Sequence, residues 1–226
     1  MKRNLTITPI MLRRIKNFWR WWAVHKSEIQ HALTTRENFE QFYSQIYEKM
    51  IYISRRIDFK LEGDTESNFI KITFSAHGYR KLFPKIIALT ENFPMIPGMV
   101  VQAFILPMEN IESCKQGTDD PHDFSDFTLK ISEMYFTIEE YNTELKKLKI
   151  KVYVKNYRYH NDNPLLPSSV FLVIEELLGE VACRRYIRDF ELAQIPEPPH
   201  NGIPLYELPD CINRLKTIKT GSPRII

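Results

Sequence analysis

The sequence has few of the residues and motifs that point to a known chemistry. Its three cysteines, Cys114, Cys183 and Cys211, are an odd number without C-x-x-C spacing, which argues against a disulfide framework and against a zinc finger. No G-x-G-x-x-G, P-loop, G-x-S-x-G or H-E-x-x-H pattern occurs, so the common signatures of nucleotide-binding proteins, serine hydrolases and zinc proteases are missing. We therefore predict no cofactor, and a reducing cytoplasm fits the cysteine usage best.

Long apolar runs are missing as well. No window approaches the roughly eighteen apolar residues of a membrane span, and the start, Met1 to Thr8, has no apolar run of secretory length. We expect a soluble, cytoplasmic protein with one domain over 1–226. Its predicted parts are a helical hairpin (8–52), a sheet with two core helices (55–195) and a Pro-rich tail with a short helix (196–226).

Positive charge is concentrated at the start of the chain. Residues 1–26 carry seven Lys or Arg and no acid, whereas the whole chain has a formal charge of only +3, so the remainder is mildly acidic. A net charge this small does not predict nucleic-acid binding, but its uneven placement gives the N-terminal segment a possible role of its own. We expect a protein partner and no nucleic-acid partner.

Helical spacing dominates the first fifty residues. Thr8-Pro9 is a typical helix start, and Thr34 with Glu37 predicts a capping box for a second helix. Each predicted helix carries an apolar stripe: Met11, Leu12, Ile15, Phe18, Trp19 and Trp22 in the first, and Phe39, Phe42, Tyr43, Ile46, Tyr47 and Met50 in the second. The pattern predicts an N-terminal helical hairpin.

The spacing of apolar residues then changes to two. Residues 57–62 and 70–74 predict a strand pair, and the nearly uninterrupted apolar run from Met99 to Leu106 predicts a central strand covered on both faces. Residues 107–126 have the composition of a long surface loop. Three later strands are predicted at 127–138, with a bulge near Ser132, at 147–155 and at 181–192.

A buried helix is predicted near the C-terminal end. Asn163 is a suitable N-cap, Pro164 suits the first helical position and Gly179 suits the left-handed stop, so the helix spans Leu165 to Leu178. Almost every face of it is apolar, which predicts a core element. The whole order predicts an α+β fold, with a mixed, largely antiparallel sheet of about six strands, helices packed on it and the N-terminal hairpin.

The first helix provides the most prominent candidate for an interaction surface. Arg13, Lys16 and Arg20 lie opposite its apolar stripe, and Trp21 lies off the stripe, where it is either half-covered or an exposed contact. Basic helices with Trp dock into partner grooves or lie on anionic membranes. For Trp19 and Trp22, packing against the core is the simpler interpretation.

Two further groups of charged residues are weighed as sites. Lys149 and Lys151, with Arg184, form a cationic face if their strands are neighbours, although alternating lysines also protect an edge strand from unwanted pairing, and we prefer that reading. Acidic and imidazole ligands for a divalent cation are present in the 107–126 segment, at Asp119, Asp120, His122 and Asp123. Their spacing matches no EF-hand, so a solvated acidic loop is the preferred interpretation.

Four short motifs give the chain a resemblance. They are Phe18-Trp19-Arg20-Trp21-Trp22, Ile72-Thr73-Phe74-Ser75-Ala76-His77-Gly78, Leu177-Leu178-Gly179-Glu180 and Leu205-Tyr206-Glu207-Leu208-Pro209. With them the chain resembles a loosely defined group of uncharacterised bacterial proteins that open with a Phe-Trp-x-Trp-aromatic helix and carry Leu-Gly-Glu after a buried helix. The resemblance implies a bacterial, cytoplasmic, single-domain protein and transfers no catalytic or binding residue.

Three functional hypotheses follow. The first is a non-enzymatic interaction or accessory protein, for instance of the immunity type, that uses the basic N-terminal helix or a sheet face. The second is a metal-assisted hydrolase built on the 107–126 segment. The third is peripheral attachment to an anionic membrane through residues 9–26. The sequence leaves the oligomeric state open.

Overall fold

The chain divides into two compact units, residues 1–105 and 106–226. The structure is a computed structural model that describes residues 7–64, 69–196 and 201–217. Buried side chains form two separate hydrophobic clusters, one in each unit, where the sequence predicted one domain. The predicted start of the chain and part of the Pro-rich tail lie outside the described residues. Within those ranges no helix has the length and apolarity needed to cross a membrane.

The N-terminal unit begins with the predicted helical hairpin, which is confirmed. The Thr8 hydroxyl oxygen accepts the Met11 N–H at 3.2 Å at the start of the first helix. That helix continues through Thr34, so the second helix starts after Asn38 and the predicted capping box does not form. The elements of this unit are α1 (Pro9–Thr35), α2 (Phe39–Ile51), β1 (Asp58–Asp64), β2 (Phe69–Ser75), α3 (Phe83–Glu91) and β3 (Met99–Ala103).

The sheet of this unit has the order β1-β2-β3. The antiparallel pair β1 and β2 confirms the predicted strand pair. By contrast, β3 runs parallel to β2, because α3 carries the chain back across the sheet before β3 begins. The prediction of a central strand at Met99 to Leu106 is wrong, since β3 is an edge strand and its Val100 side chain is 44% exposed.

The apolar stripe of α1 is buried in the core of the N-terminal unit. Phe18, Trp19 and Trp22 are at most 2% exposed, and the rings of Phe18 and Trp19 meet Phe74 of β2 edge-on at about 6 Å. The indole N–H of Trp19 donates to the Leu89 carbonyl at 2.8 Å. The indole N–H of Trp22 is buried and meets no acceptor among the described residues.

The C-terminal unit contains two sheets. A small hairpin pairs β4 (His122–Phe124) with β5 (Phe127–Leu129). The strands of a second sheet lie in the order β8 (Ile187–Gln194), β7 (Lys147–Val154), β6 (Tyr135–Asn142) and β9 (Ile203–Pro204). The α+β class is therefore confirmed, but the strands among the described residues lie in three sheets rather than in one of about six strands. The elements are α4 (Ile111–Gln116), β4 (His122–Phe124), β5 (Phe127–Leu129), β6 (Tyr135–Asn142), β7 (Lys147–Val154), α5 (Tyr157–His160), α6 (Leu166–Leu178), α7 (Glu180–Tyr186), β8 (Ile187–Gln194), β9 (Ile203–Pro204) and α8 (Leu208–Thr217).

The predicted buried helix is α6, and it lies in the core of this unit. It begins at Leu166, slightly later than predicted, because the Asn163 carboxamide oxygen accepts the Leu165 N–H in a local turn before the helix. Gly179, with a φ of 75°, ends it. Its inward side chains are almost inaccessible to solvent: Leu166, Val170, Val173, Ile174, Leu177 and Leu178.

Three local predictions in this unit are wrong. The 107–126 segment is not a long loop, since it contains α4 and β4. The predicted strand 127–138 with its bulge is instead two strands, β5 and β6, and a short 3-10 turn at Ile131–Glu133 separates them. The last strand starts at Ile187, because residues 180–186 continue as a helix after the Gly179 turn.

The two buried tryptophans of α1 provide a matched test of this packing. Trp19→Phe and Trp22→Phe remove the same volume, but only Trp19→Phe also leaves the Leu89 carbonyl without its donor. We expect Trp19→Phe to lower the free energy of unfolding by about 1–3 kcal/mol more than Trp22→Phe. Urea unfolding followed by far-UV circular dichroism measures both; equal midpoints for the two variants would contradict this account of α1.

Candidate functional site

The side of α1 opposite its buried stripe is positively charged. Arg13, Lys16 and Arg20 are exposed and follow one another at spacings of three and four residues, which places them on one helical face. No ion pair joins them to an acidic side chain among the described residues, and the first acid in the sequence is Glu28. These three residues are called the α1 basic face below.

Trp21 is half-covered rather than an exposed contact. Its ring stacks on His25 at a centroid distance of 4.6 Å and meets Trp22 edge-on at 6.3 Å. The ammonium group of Lys49, on α2, lies 6.0 Å from the Trp21 ring centroid. Trp21 thus helps to join α1 to α2, which is the half-covered alternative of the two that the sequence left open.

A second group of cations surrounds the turn that follows α2. Arg14 donates through Nη1 to the Tyr52 carbonyl at 2.9 Å, and Lys85 donates to the Ile53 carbonyl at 3.4 Å. The guanidinium of Arg56 lies 5.5 Å from the Tyr79 ring centroid. We call the following residues the turn cluster: Arg14, Tyr52, Arg55, Arg56, Tyr79 and Lys85. Sequence analysis missed it because α1, the turn and the α3 region contribute to it from distant positions.

The carboxylate next to this turn is already engaged. Asp58 accepts a hydrogen bond from the Phe59 N–H at 2.8 Å, and its other oxygen lies 3.1 Å from Nε2 of His77. The hydrogen bond with His77 is the main reason why the pKa of Asp58 is lowered, against the opposing effect of burial. Asp58 therefore stays ionised and paired with His77.

The lysines of β7 are paired with carboxylates. Lys149 donates to Glu191 of β8, and Lys151 lies 3.5 Å from Glu139 of β6. On the same sheet, the Arg188 guanidinium donates to both carboxylate oxygens of Glu140 at 2.8 Å. These hydrogen bonds lower the pKa of Glu140 and raise the pKa of Lys149. The sheet therefore carries a row of ion pairs, so the cationic face considered for Lys149 and Lys151 does not exist.

Arg184 lies in α7 and not on the last strand. Its side chain is exposed, and its backbone carbonyl accepts a hydrogen bond from the Lys147 ammonium at 3.4 Å. Because Lys149 and Lys151 are occupied by glutamates, the three predicted residues do not combine into one binding surface.

The acidic residues considered as metal ligands do not converge. Asp119 is buried and accepts the Ser132 N–H at 3.1 Å, whereas Asp120 is exposed. His122 lies 3.6 Å from the Glu176 carboxylate. Asp123 is the next residue of β4, so its side chain points to the opposite face of the strand. Among the described residues no group of three or more His, Cys, Asp or Glu side chains could hold a metal ion.

An open cleft of about 770 Å³ lies beside β4 and β5. Its charged groups are mostly paired, since Glu133 accepts from Lys155 at 2.7 Å and Asp126 accepts from the Asn163 amide at 3.3 Å. No hydrogen bond joins a cleft hydroxyl to His160 within the described part of the chain. It is lined by Asp123, Phe124, Ser125, Asp126, Phe127, Thr128, Glu133, Lys155, Asn156 and His160.

The cysteines are free and buried. Burial, with a smaller contribution from the nearby Glu175, raises the pKa of Cys183 to about 12. The thiol is therefore protonated at neutral pH, and Cys183 packs as a small buried hydrophobic residue rather than acting as a nucleophile.

No family model, curated protein or solved structure matches the chain. Its fold and surfaces define an α+β protein of two compact units. The N-terminal unit carries the unpaired cations described above, and the C-terminal unit carries a sheet whose cations are paired.

The Asp58–His77 pair predicts an acid-dependent loss of stability. Because the pKa of Asp58 is lowered in the folded protein, its contribution is complete above its unfolded value of about 4 and is lost as the pH falls through the lower folded value. The stability advantage of the wild type over Asp58→Asn should therefore shrink progressively as the pH falls below about 4. Urea unfolding between pH 6 and 2.5 tests this.

His77→Ala is the control for this experiment. It removes the main cause of the lowered pKa, so the Asp58→Asn substitution made in the His77→Ala background should lose most of its pH dependence. An advantage of the wild type that persists unchanged to pH 2.5 would show that Asp58 is not held in its ionised form by this pair.

Substitution of Asp119 separates a structural role from a metal-binding role. A structural role predicts a loss of stability, whereas a metal site predicts a loss of metal binding. Asp119→Ala leaves the Ser132 N–H without an acceptor and should lower the free energy of unfolding by about 1–3 kcal/mol. Asp120→Ala, at an exposed neighbour, should change it by less than about 0.5 kcal/mol. A stabilisation by Mg²⁺, Ca²⁺ or Zn²⁺ that Asp120→Ala abolishes would instead support the metal hypothesis.

Proposed function

We propose that this protein is a non-enzymatic accessory protein of a bacterial cytoplasm, of the kind that includes immunity proteins, and that it binds an acidic protein partner through the α1 basic face. Three buried free cysteines and the absence of a membrane-spanning helix from the described residues agree with that location. The partner would present carboxylates to Arg13, Lys16 and Arg20.

The contrast between paired and unpaired cations carries this proposal. On the C-terminal sheet, Lys149, Lys151 and Arg188 already have carboxylate partners at hydrogen-bond or ion-pair distance. An acidic partner would have to displace those carboxylates. The α1 basic face has no such internal partner among the described residues, so its charges are available to attract and orient an acidic surface.

The α1 basic face is also held in place before binding. Its helix has 27 residues and is fixed to the core by Trp19 and Trp22, so the backbone positions from which the three cations extend are fixed relative to one another. A surface that is ordered before association loses less conformational entropy on binding, which favours affinity.

The two other hypotheses gain no support. A helix that lies on a membrane inserts its apolar side into the bilayer, but the apolar side of α1 is buried in its own unit. A metal-assisted hydrolase needs converging ligands, whereas Asp119, His122 and Asp123 have different surroundings.

Native mass spectrometry of the protein, purified gently from its own host, tests the proposal. We expect a second, acidic polypeptide in the intact complex. The variant with Arg13→Glu, Lys16→Glu and Arg20→Glu should bind that polypeptide at least about tenfold more weakly. Its glutamates would meet the carboxylates of the partner, and like charges brought together at an interface reduce the binding free energy.

The matched control reverses three cations of the C-terminal unit: Lys115→Glu, Lys146→Glu and Arg158→Glu. It changes the net charge by the same amount and should retain the partner. Equal loss of the partner in both variants would mean that net charge, and not the α1 basic face, determines binding. Retention in both would exclude this face.

A further inference from the structure

Three segments of the N-terminal unit contain no acidic residue. Residues 7–27, 49–57 and 69–90 carry twelve Lys or Arg and no Asp or Glu. The fold brings parts of all three together at the turn cluster: Arg14 comes from the first, Tyr52 and Arg56 from the second, and Tyr79 and Lys85 from the third. The cluster is therefore a local concentration of positive charge that the whole-chain value of +3 hides.

Two of the four cations of the turn cluster are held by hydrogen bonds. The hydrogen bonds from Arg14 and Lys85 to carbonyls of the turn hold these two side chains against it, while Arg55 and Arg56 are exposed. None of the four forms an ion pair with a described carboxylate. An arginine that donates one hydrogen bond retains further N–H groups for an anion.

Two tyrosine rings are exposed within the same cluster. Tyr52 is 65% exposed and Tyr79 is 57% exposed, and the Arg56 guanidinium lies over the Tyr79 ring. Exposed aromatic rings beside unpaired cations are the combination with which proteins bind single strands, because the cations contact phosphates and the rings stack on bases.

We propose that the turn cluster binds single-stranded nucleic acid, with Arg14, Arg55, Arg56 and Lys85 contacting phosphates and with Tyr52 and Tyr79 stacking on bases. This site is separate from the α1 basic face, and it replaces the expectation from net charge that no nucleic acid binds. An anionic membrane would offer phosphates to the cations but no aromatic bases on which the tyrosine rings could stack, so the observations favour the nucleic acid.

Fluorescence anisotropy with labelled twelve-nucleotide oligo-dT and oligo-U tests the proposal on the full-length protein, with inorganic polyphosphate as a competing anion without bases. We expect both oligonucleotides to bind at low salt and to dissociate as salt rises. A preference for one of them would assign the site to DNA or to RNA. No binding of either at low salt would overturn the proposal.

Two sets of variants separate stacking from charge. The double variant Tyr52→Ala with Tyr79→Ala should weaken oligonucleotide binding by about tenfold or more and leave polyphosphate binding unchanged. The double variant Arg55→Ala with Arg56→Ala should weaken the binding of both ligands. It should also reduce the slope of log binding constant against log salt concentration by about one unit per cation removed. Tyr159→Ala, at an exposed tyrosine of the C-terminal unit, is the control and should bind normally.

Other outcomes decide against the site. Equal losses of polyphosphate and oligonucleotide binding in the tyrosine variant, with its fold intact by circular dichroism, would show that the rings do not stack on bases. Binding to phosphatidylserine vesicles but not to oligonucleotides would assign the cluster to lipid headgroups. Because these variants leave Arg13, Lys16 and Arg20 in place, their results are distinguishable from a failure of the proposed protein interaction.

Discussion

The packing of Phe18, Trp19 and Trp22 determines the orientation of α1, and the surface of the N-terminal unit depends on that orientation. The Phe18 ring packs against both tryptophan rings, and the rings of Phe18 and Trp19 pack against Phe74. The Trp19 hydrogen bond to Leu89 adds a directional contact. A helix fixed in rotation by its buried side has an equally fixed outer side. The arginines and lysine opposite the stripe therefore face solvent as a consequence of core packing.

The two units use positive charge differently. Residues 1–105 carry 16 Lys or Arg and nine Asp or Glu, whereas residues 106–226 carry 15 and 19. In the C-terminal unit, glutamates on neighbouring strands lie beside Lys149, Lys151 and Arg188. These three cations therefore have carboxylate partners, which also protects the sheet. In the N-terminal unit, acid-free segments meet, so several cations have no described carboxylate within reach. The second arrangement is the one that leaves charge available for binding.

The sequence predicted those features that depend on local spacing. The hairpin of α1 and α2, the β1–β2 pair, the buried α6 and the short α8 follow from apolar residues at helical or strand spacing. Features that depend on distant contacts were not predictable in this way. The edge position of β3 depends on which strand lies beside it, the pairing of Lys149 with Glu191 depends on the sheet order, and the turn cluster combines Arg14, Tyr52 and Tyr79 from three separate segments. The division into two cores likewise depends on which side chains pack together.

The difference between paired and unpaired lysines can be measured in a single experiment. Brief acylation of the folded protein at neutral pH, followed by peptide mass spectrometry, gives the reaction rate of each lysine amine. Lys149, held by Glu191 with a raised pKa, should react slowly, whereas the exposed Lys16 of the α1 basic face should react quickly. Denaturation should make the two rates similar. Equal rates in the folded protein would contradict the claim that the two units differ in the availability of their positive charge.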